Sequence, residues 1–228
     1  MKSLGEMNLD KTTVSGSPHI GVFIFANNKV ALVPPRLSRS TKRTIKETLE
    51  VDVIETTIAG TRIIGVLVAG NDRCLLLPRI SSEDEIDHLK ESLGRSIAIR
   101  VVKSKCTALG NLIVANNKAA IVSSEIEREV VREIESTLGV KAYVGAYAGT
   151  PAVGAIMVVN DSVGLVHPSL SDSEIAEIER RLGVKAGPAT VNEGVEFIKS
   201  GAVINNKGVL LGSLTTGPEI MNIQAILG

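Results

Sequence analysis

Ile63-Ile64-Gly65-Val66-Leu67-Val68-Ala69-Gly70-Asn71-Asp72-Arg73-Cys74-Leu75-Leu76-Leu77-Pro78 is two apolar runs around a polar turn. The first run is β-branched, Gly70-Asn71-Asp72 is turn chemistry, and the second run ends at a proline that cannot continue a ladder. This predicts a β-hairpin. Ser81-Ser82-Glu83-Asp84-Glu85 then reads as a helix start, with capping hydroxyls and acids at the positive end of the helix dipole. Ile86, Leu89 and Leu93 follow at i, i+3 and i+7 on one helix face, and Gly94 ends it. Ile97-Ala98-Ile99-Arg100-Val101-Val102 is a third extended run, so the unit reads strand, strand, helix, strand.

That unit recurs along the whole chain. Asn27, Asn71, Asn116, Asn160 and Asn205 each open an Asn-Asn or Asn-Asp turn, and 22 residues after each stands Leu49, Leu93, Leu138, Leu182 or Leu227. A spacing of 44 to 45 residues held throughout means one supersecondary unit copied five times. The helix-face slots hold Val131, Ile134 and Leu138 in copy three, Ile175, Ile178 and Leu182 in copy four, and Ile220, Ile223 and Leu227 in copy five. Copy one departs, with Lys42 ahead of Ile45 and Leu49. The copies run near residues 18–59, 60–106, 107–149, 150–194 and 195–228, with no Pro, Gly or Ser-rich gap between them. Residues 1–228 are therefore read as a single α/β domain. An α-solenoid shares this period, but each copy here has one helix and two apolar runs.

The fifth copy stops at Gly228, directly after its helix, with no third strand. Ser17-Pro18-His19-Ile20-Gly21 parallels Thr150-Pro151-Ala152-Val153-Gly154, which makes residues 11–16 the counterpart of residues 144–149, the third strand of a unit. Residues 11–17 thus complete the last copy and close a ring with pseudo-five-fold symmetry. Closure also removes free edge strands, which an open array would expose to aggregation. Residues 1–9 match nothing in the other copies and read as a frayed extension.

Hydrophobic residues make up 44% of the chain and aromatics 2%, so the core is packed from aliphatic and small side chains. No apolar run approaches the roughly 20 residues of a bilayer span, and Met1-Lys2-Ser3-Leu4-Gly5-Glu6 lacks a signal-peptide apolar region. A soluble, cytoplasmic protein with no membrane contact is expected. Its net charge is zero but unevenly spread. The helix region of copy one carries Arg36, Arg39, Lys42, Arg43 and Lys46, whereas copies two and three are acidic there. Solvated helix faces account for this pattern, and a secondary contact through the basic stretch is the functional alternative.

The five-copy ring with helices outside resembles the pentein architecture, whose enzymes modify arginine-like substrates with a cysteine nucleophile, a histidine and carboxylates. The residues speak against that chemistry. Cys74 sits in an apolar run that favours the inert thiol, Cys106 lies beside Lys103 and Lys105, and neither falls in the final copy, where those enzymes carry theirs. His19, His88 and His167 gather with neither cysteine in sequence. No phosphate-binding glycine motif occurs, and Phe23, Phe25, Phe197, Tyr143 and Tyr147 do not interleave with arginines as a nucleic-acid platform would. No catalysis, cofactor or metal site is expected.

Ala59-Gly60-Thr61-Arg62-Ile63-Ile64-Gly65, Ala108-Leu109-Gly110-Asn111, Gly164-Leu165-Val166-His167-Pro168, Thr190-Val191-Asn192-Glu193-Gly194 and Thr215-Thr216-Gly217-Pro218-Glu219 appear in that order, and repeat architecture alone demands none of them. Over about residues 11–228 the chain resembles the translation initiation factor 6 family, the archaeal and eukaryotic anti-association factors. The resemblance implies a monomeric, non-enzymatic ring that binds the large ribosomal subunit beside the sarcin-ricin loop and its neighbouring proteins. There it blocks joining of the small subunit, with a further role in large-subunit biogenesis. The runner-up is a pentein hydrolase or deiminase. Carried onto this sequence, the family's contact residues point to Asn111, with Arg62 and Asn71 as weaker candidates. Asn111 stands where the other copies have Val22, Val66, Ala155 and Ser200, and Arg62 stands where three of them have Pro18, Thr107 and Pro151. Asn71 belongs to the five-fold turn set and is a turn former first.

Overall fold

The computed structural model describes residues 7–228. Among them are five three-stranded sheets, each with the second apolar run of a copy as its middle strand. In copy two the middle strand Cys74–Pro78 pairs antiparallel with Ala69–Gly70 and parallel with Ala98–Val102, in the register Cys74 to Ala98 and Pro78 to Val102. All five middle-strand residues are buried, which is why the run is continuously apolar rather than alternating. The protein is thus an α/β pentein ring of five repeats.

Closure is made by the N-terminal segment. Asn8–Thr12 pairs parallel with Gly208–Gly212, the middle strand of copy five, from Asn8 opposite Gly208 to Thr12 opposite Gly212. The predicted alignment is correct but its boundaries are not: the strand is residues 8–12 rather than 11–16. Asn8 and Leu9, read as a frayed extension, are ladder residues, and Met7 packs on the buried cluster shared by copies four and five. Residues 13–17 form a turn bridged by Val14 and Ser17. The remainder of the predicted extension, residues 1–6, lies outside the described residues.

The first apolar run also differs from its reading. Ile64–Leu67 is one helical turn, with Val68 N–H donating to Ile64 O at 2.8 Å, and only Ala69–Gly70 is strand. Packing overrides β propensity here. A β-carbon on Gly65 would collide with the carbonyl oxygen of Gly21, as one on Gly110 would with Gly65 O and one on Gly154 with Gly110 O. These glycines let successive copies touch backbone to backbone around the axis, and the coiled turn brings them there.

Each eleven-residue outer helix is wedged between two copies. Val131, Ile134 and Leu138 of Arg128–Leu138 share a buried cluster with Cys74 and Leu76 of copy two and Ala120 and Val122 of copy three. Ile45 and Leu49 of Arg39–Leu49 share one with Val203 and Leu210 of copy five. Burying a large aliphatic side chain contributes about 1.5–3 kcal/mol. Because every cluster draws on two copies, no copy holds a core by itself.

Candidate functional site at the two ends of the ring

The middle strands leave the asparagine turns and run to the opposite end, where the parallel third strands emerge and the outer helices begin. The ring therefore has a turn end and a loop end, joined by a central bore.

At the turn end the asparagines form a cycle of side-chain-to-backbone hydrogen bonds. Asn27 Nδ2 donates to Asn71 O at 2.9 Å, Asn71 to Asn116 O at 3.3 Å, Asn116 to Asn160 O at 3.0 Å, Asn160 to Asn205 O at 3.0 Å, and Asn205 back to Asn27 O at 3.1 Å. Asn71, Asn116 and Asn205 also donate to the carbonyls of Leu138, Leu182 and Leu49, the last residues of the neighbouring outer helices. These are the two repeated residues that define the period. Outside this cycle sit Asn28, Asp72, Asn117 and Asp161, with Asn206 bonded to Asn28 and Asp161. Asn117 Nδ2 donates to Asp72 Oδ2 at 2.6 Å and to Asp161 Oδ2 at 2.9 Å. Burial alone would raise the Asp161 carboxyl, but donors from Asn206 and Asn117 hold it below its ordinary value.

Asn71 is 3% exposed, its amide donates to two carbonyls, and its Oδ1 accepts from Arg73 and Cys74 N–H. Its side-chain donors and acceptor are thus occupied inside the ring, in keeping with a turn former first, and of the three candidate contact residues it has the fewest free groups.

The loop end holds the other two candidates. Arg62 is exposed, and its guanidinium donates to Ser15 Oγ at 2.7 Å and Pro35 O at 3.4 Å. Asn111 lines the bore mouth with Val22, Val66, Ala155, Phe197 and Ser200. Besides Val144 near the end of Lys141–Gly145 and Met221 in the first half of Gly217–Leu227, the exposed large apolar side chains are Ile63, Ile80, Phe197 and Leu214, all in the loop-end segments around the helix starts. They are two equivalent pairs: Ile63 and Phe197 come eight residues before the turn asparagine of copies two and five, and Ile80 and Leu214 nine residues after it. Sequence reading missed them, although the register shows that only these copies combine the two apolar positions.

Carboxylates at the helix starts fix the surrounding loops. Glu85 accepts from Thr57 Oγ1 at 2.7 Å, Ala59 N at 2.8 Å, Gly60 N at 2.8 Å and Ser82 N at 3.0 Å. Burial raises its pKa, but these donors outweigh it and hold the carboxyl below its ordinary value. Glu174 does the same for Ala148, and Glu219 for Glu193 and Gly194.

The basic helix of copy one is largely paired within the chain, with Lys42 to Glu55 at 3.2 Å and Lys46 to Asp52 at 2.9 Å. Burial pushes the Cys74 thiol up to about 11, with Arg100 opposing. Cys106 Sγ lies 3.6 Å from Glu125 O, His88 Nε2 2.9 Å from Glu55 O, and His167 Nε2 3.5 Å from Glu196 Oε2. Among the described residues, no three His, Cys, Asp or Glu side chains gather as a metal site requires. No helix among them is long and apolar enough to cross a membrane.

The eIF-6 family model matches residues 9–226. The chain belongs to the eIF-6 family. Translation initiation factor 6 of Staphylothermus marinus is 46% identical over 219 residues, covering 96% of each chain. The Saccharolobus solfataricus protein of that name is 43% identical, over 97% of this chain and 100% of its own. The Pyrococcus horikoshii protein is 40% identical, over 97% and 99%. Among solved structures the chain is similar to a dimethylarginine dimethylaminohydrolase at a TM-score of 0.54 and 13% identity, covering 87% of this chain and 88% of the other. It is also similar to SxtG, an amidinotransferase from Microseira wollei, at a TM-score of 0.50 and 10% identity, covering 81% and 63%. At such identities these enzymes share the fold alone.

Proposed function

We propose that this eIF-6 family protein is a translation initiation factor that binds the large ribosomal subunit through the loop end of its ring. It prevents joining of the small subunit by occupying the joining face beside the sarcin-ricin loop. One observation carries the choice of end: the turn end satisfies its polar groups internally, whereas the loop end exposes Ile63, Ile80, Phe197 and Leu214 around Arg62 and Asn111. Apolar and aromatic anchors beside an arginine are the composition of binding hot spots. Loops already held by Glu85, Glu174 and Glu219 have little left to order on binding, which lowers its cost. A standard interface of about 800 Å² per partner supports the roughly nanomolar affinity a stable block needs. The factor acts as a cytoplasmic monomer without chemistry, and the same contact serves it in large-subunit biogenesis. Asn111 and Arg62 touch the subunit, while Asn71 supports them from within the ring.

The test is sedimentation of purified large subunits with the protein, followed by addition of small subunits. Co-sedimentation and blocked joining are expected; unimpaired joining refutes the reading. Asn111→Ala and Arg62→Ala should each weaken binding at least about fivefold with an unchanged melting temperature.

A further inference from the structure

Four copies carry glycine six residues before the turn asparagine, at Gly21, Gly65, Gly110 and Gly154; the fifth carries Lys199. Its side chain crosses the bore, Nζ donating to Gly110 O of copy three at 3.2 Å. Lys199 lines the cavities on both sides, about 70 Å³ toward the turn end and about 130 Å³ at the loop-end mouth. The amine is enclosed by protein atoms while the residue as a whole keeps intermediate exposure. An ammonium has three N–H donors. Among the described residues Lys199 has one acceptor and no carboxylate within ion-pair distance.

The mouth cavity holds two further polar groups, one of them buried without a partner. Ser200 Oγ is buried without a hydrogen-bond partner. Asn111 is held through its main chain, its N–H donating to Ala108 O and its carbonyl accepting from Gly154 N–H, which leaves the amide side chain facing the mouth. A buried polar group without a partner costs free energy that bonding on complex formation recovers. Phe197, half exposed and set edge-on against His167, forms an apolar rim.

An ammonium, a hydroxyl and an amide converging in one recess form a donor-rich, singly positive receptor. The recess, about 130 Å³, is walled by Val22, Val66, Ala155 and Phe197 around these polar groups. One cation among these apolar walls suits a carboxylate at the tip of a side chain or chain end better than a nucleic-acid phosphodiester, which brings a polar sugar on each side. We infer that this recess receives a carboxylate carried by a protein component of the partner that docks on the loop end. The inference rests on the proposed subunit binding and names the chemistry of its central contact. Burial pushes the Lys199 amine down to about 8, which leaves it mostly protonated at neutral pH.

The test treats the complex with purified large subunits with a water-soluble carbodiimide, which activates a carboxylate for attack by an adjacent amine and leaves an amide as the urea departs. Peptide mass spectrometry should find Lys199 joined to an Asp or Glu side chain or a terminal carboxylate of a ribosomal protein. Lys199→Met keeps the stem across the bore without the charge, and should lose this cross-link and weaken binding about tenfold or more. Lys199→Arg should retain most of the affinity. Ser200→Ala, which removes only the unpartnered hydroxyl, should weaken binding about threefold and guards against misfolding of the lysine variants. Wild type that binds with Lys199 uncoupled, or joined by photo-cross-linking only to RNA, while Lys199→Met binds as tightly, overturns the inference and leaves the proposed function standing. Wild type that does not co-sediment at all overturns both.

Discussion

The turn end and the loop end are built by the same five repeats, yet one obeys the repeat and the other breaks it. At the turn end the asparagine cycle has identical chemistry in all five copies, because each side chain has its partner inside the ring. At the loop end the equivalent positions hold valine, valine, asparagine, alanine and serine, with one lysine among four glycines. Symmetry is cheap where the chain meets only itself. A ring that meets one asymmetric partner has to break it, and here the breaks gather at one end. The two ends should therefore respond differently to substitution: turn-end changes cost stability, and loop-end changes cost binding.

The largest effect is expected from opening the ring. Deleting residues 1–16 removes Asn8–Thr12 and exposes one edge of Gly208–Gly212, a strand buried along its length. The outer helix of copy one loses part of its seat at the same time, since Ile45 and Leu49 share a cluster with Val14. The loss should rival the whole stability of a domain, about 5–15 kcal/mol, so cooperative melting should disappear and light scattering should rise. An unchanged melting temperature would refute closure by this strand.

Next comes a single member of the cycle. Asn116 donates to Asn160 O and Leu182 O and accepts from Lys118 and Ala119 N–H. Asn116→Ala leaves all four backbone groups without these partners in a buried site, at roughly 1–3 kcal/mol for each group that water cannot reach. A net cost of about 3–4 kcal/mol in denaturant unfolding is expected, with subunit binding by the remaining folded protein unaltered.

The same contrast explains what could be read in the sequence. The period, the ring and the N-terminal strand were legible because they rest on repeated turn residues and apolar faces. The boundaries at 8–12 were not, since Asn8, Asp10 and Lys11 do not read as strand; their pairing is dictated by the partner Gly208–Gly212. The helical turn at Ile64–Leu67 was hidden because its β-branched residues favour strand, and only the backbone contact of Gly65 with copy one decides otherwise. Lys199 was visible as the fifth member of a glycine register, yet within Glu196-Phe197-Ile198-Lys199-Ser200 it reads as an ordinary amphipathic run. That the Asn71 side chain is fully bonded within the ring was not legible either, because sequence cannot say which polar groups already have partners.

A smaller effect separates order at the loop end from binding at it. Ala59 adopts a φ of 54° in the turn held by the Glu85 carboxylate. Glu85→Gln replaces one acceptor oxygen with an NH₂ that faces donors, and should cost about 1–2 kcal/mol at pH 7. Since folding depresses the Glu85 pKa, its contribution is present above the unfolded value, roughly 4.3, and is lost as pH falls through the lower folded value. Denaturant midpoints of wild type and variant should therefore converge in acid. Arg62 follows this turn directly, so the variant should also weaken subunit binding mildly, about twofold.

The smallest effect lies at a place where the turn end departs from its own rule. The outer helices of copies three and four end at Gly139 and Gly183 in the left-handed region, with φ of 64° and 66°, whereas copy one ends at Glu50 with φ of 50°. A side chain there costs about 1 kcal/mol relative to glycine. Glu50 has a local reason to stay: its carboxylate accepts from Asn8 Nδ2 at 3.3 Å and lies 4.0 Å from Lys207, touching the closing strand and its partner. Both contacts are exposed, and such contacts contribute a few tenths of a kcal/mol. Relief of strain should therefore outweigh their loss, and Glu50→Gly should raise stability by about 0.5 kcal/mol. If it instead lowers the melting temperature, the Glu50 to Asn8 contact is worth more than an exposed hydrogen bond, and ring closure depends on a side chain as well as on the ladder.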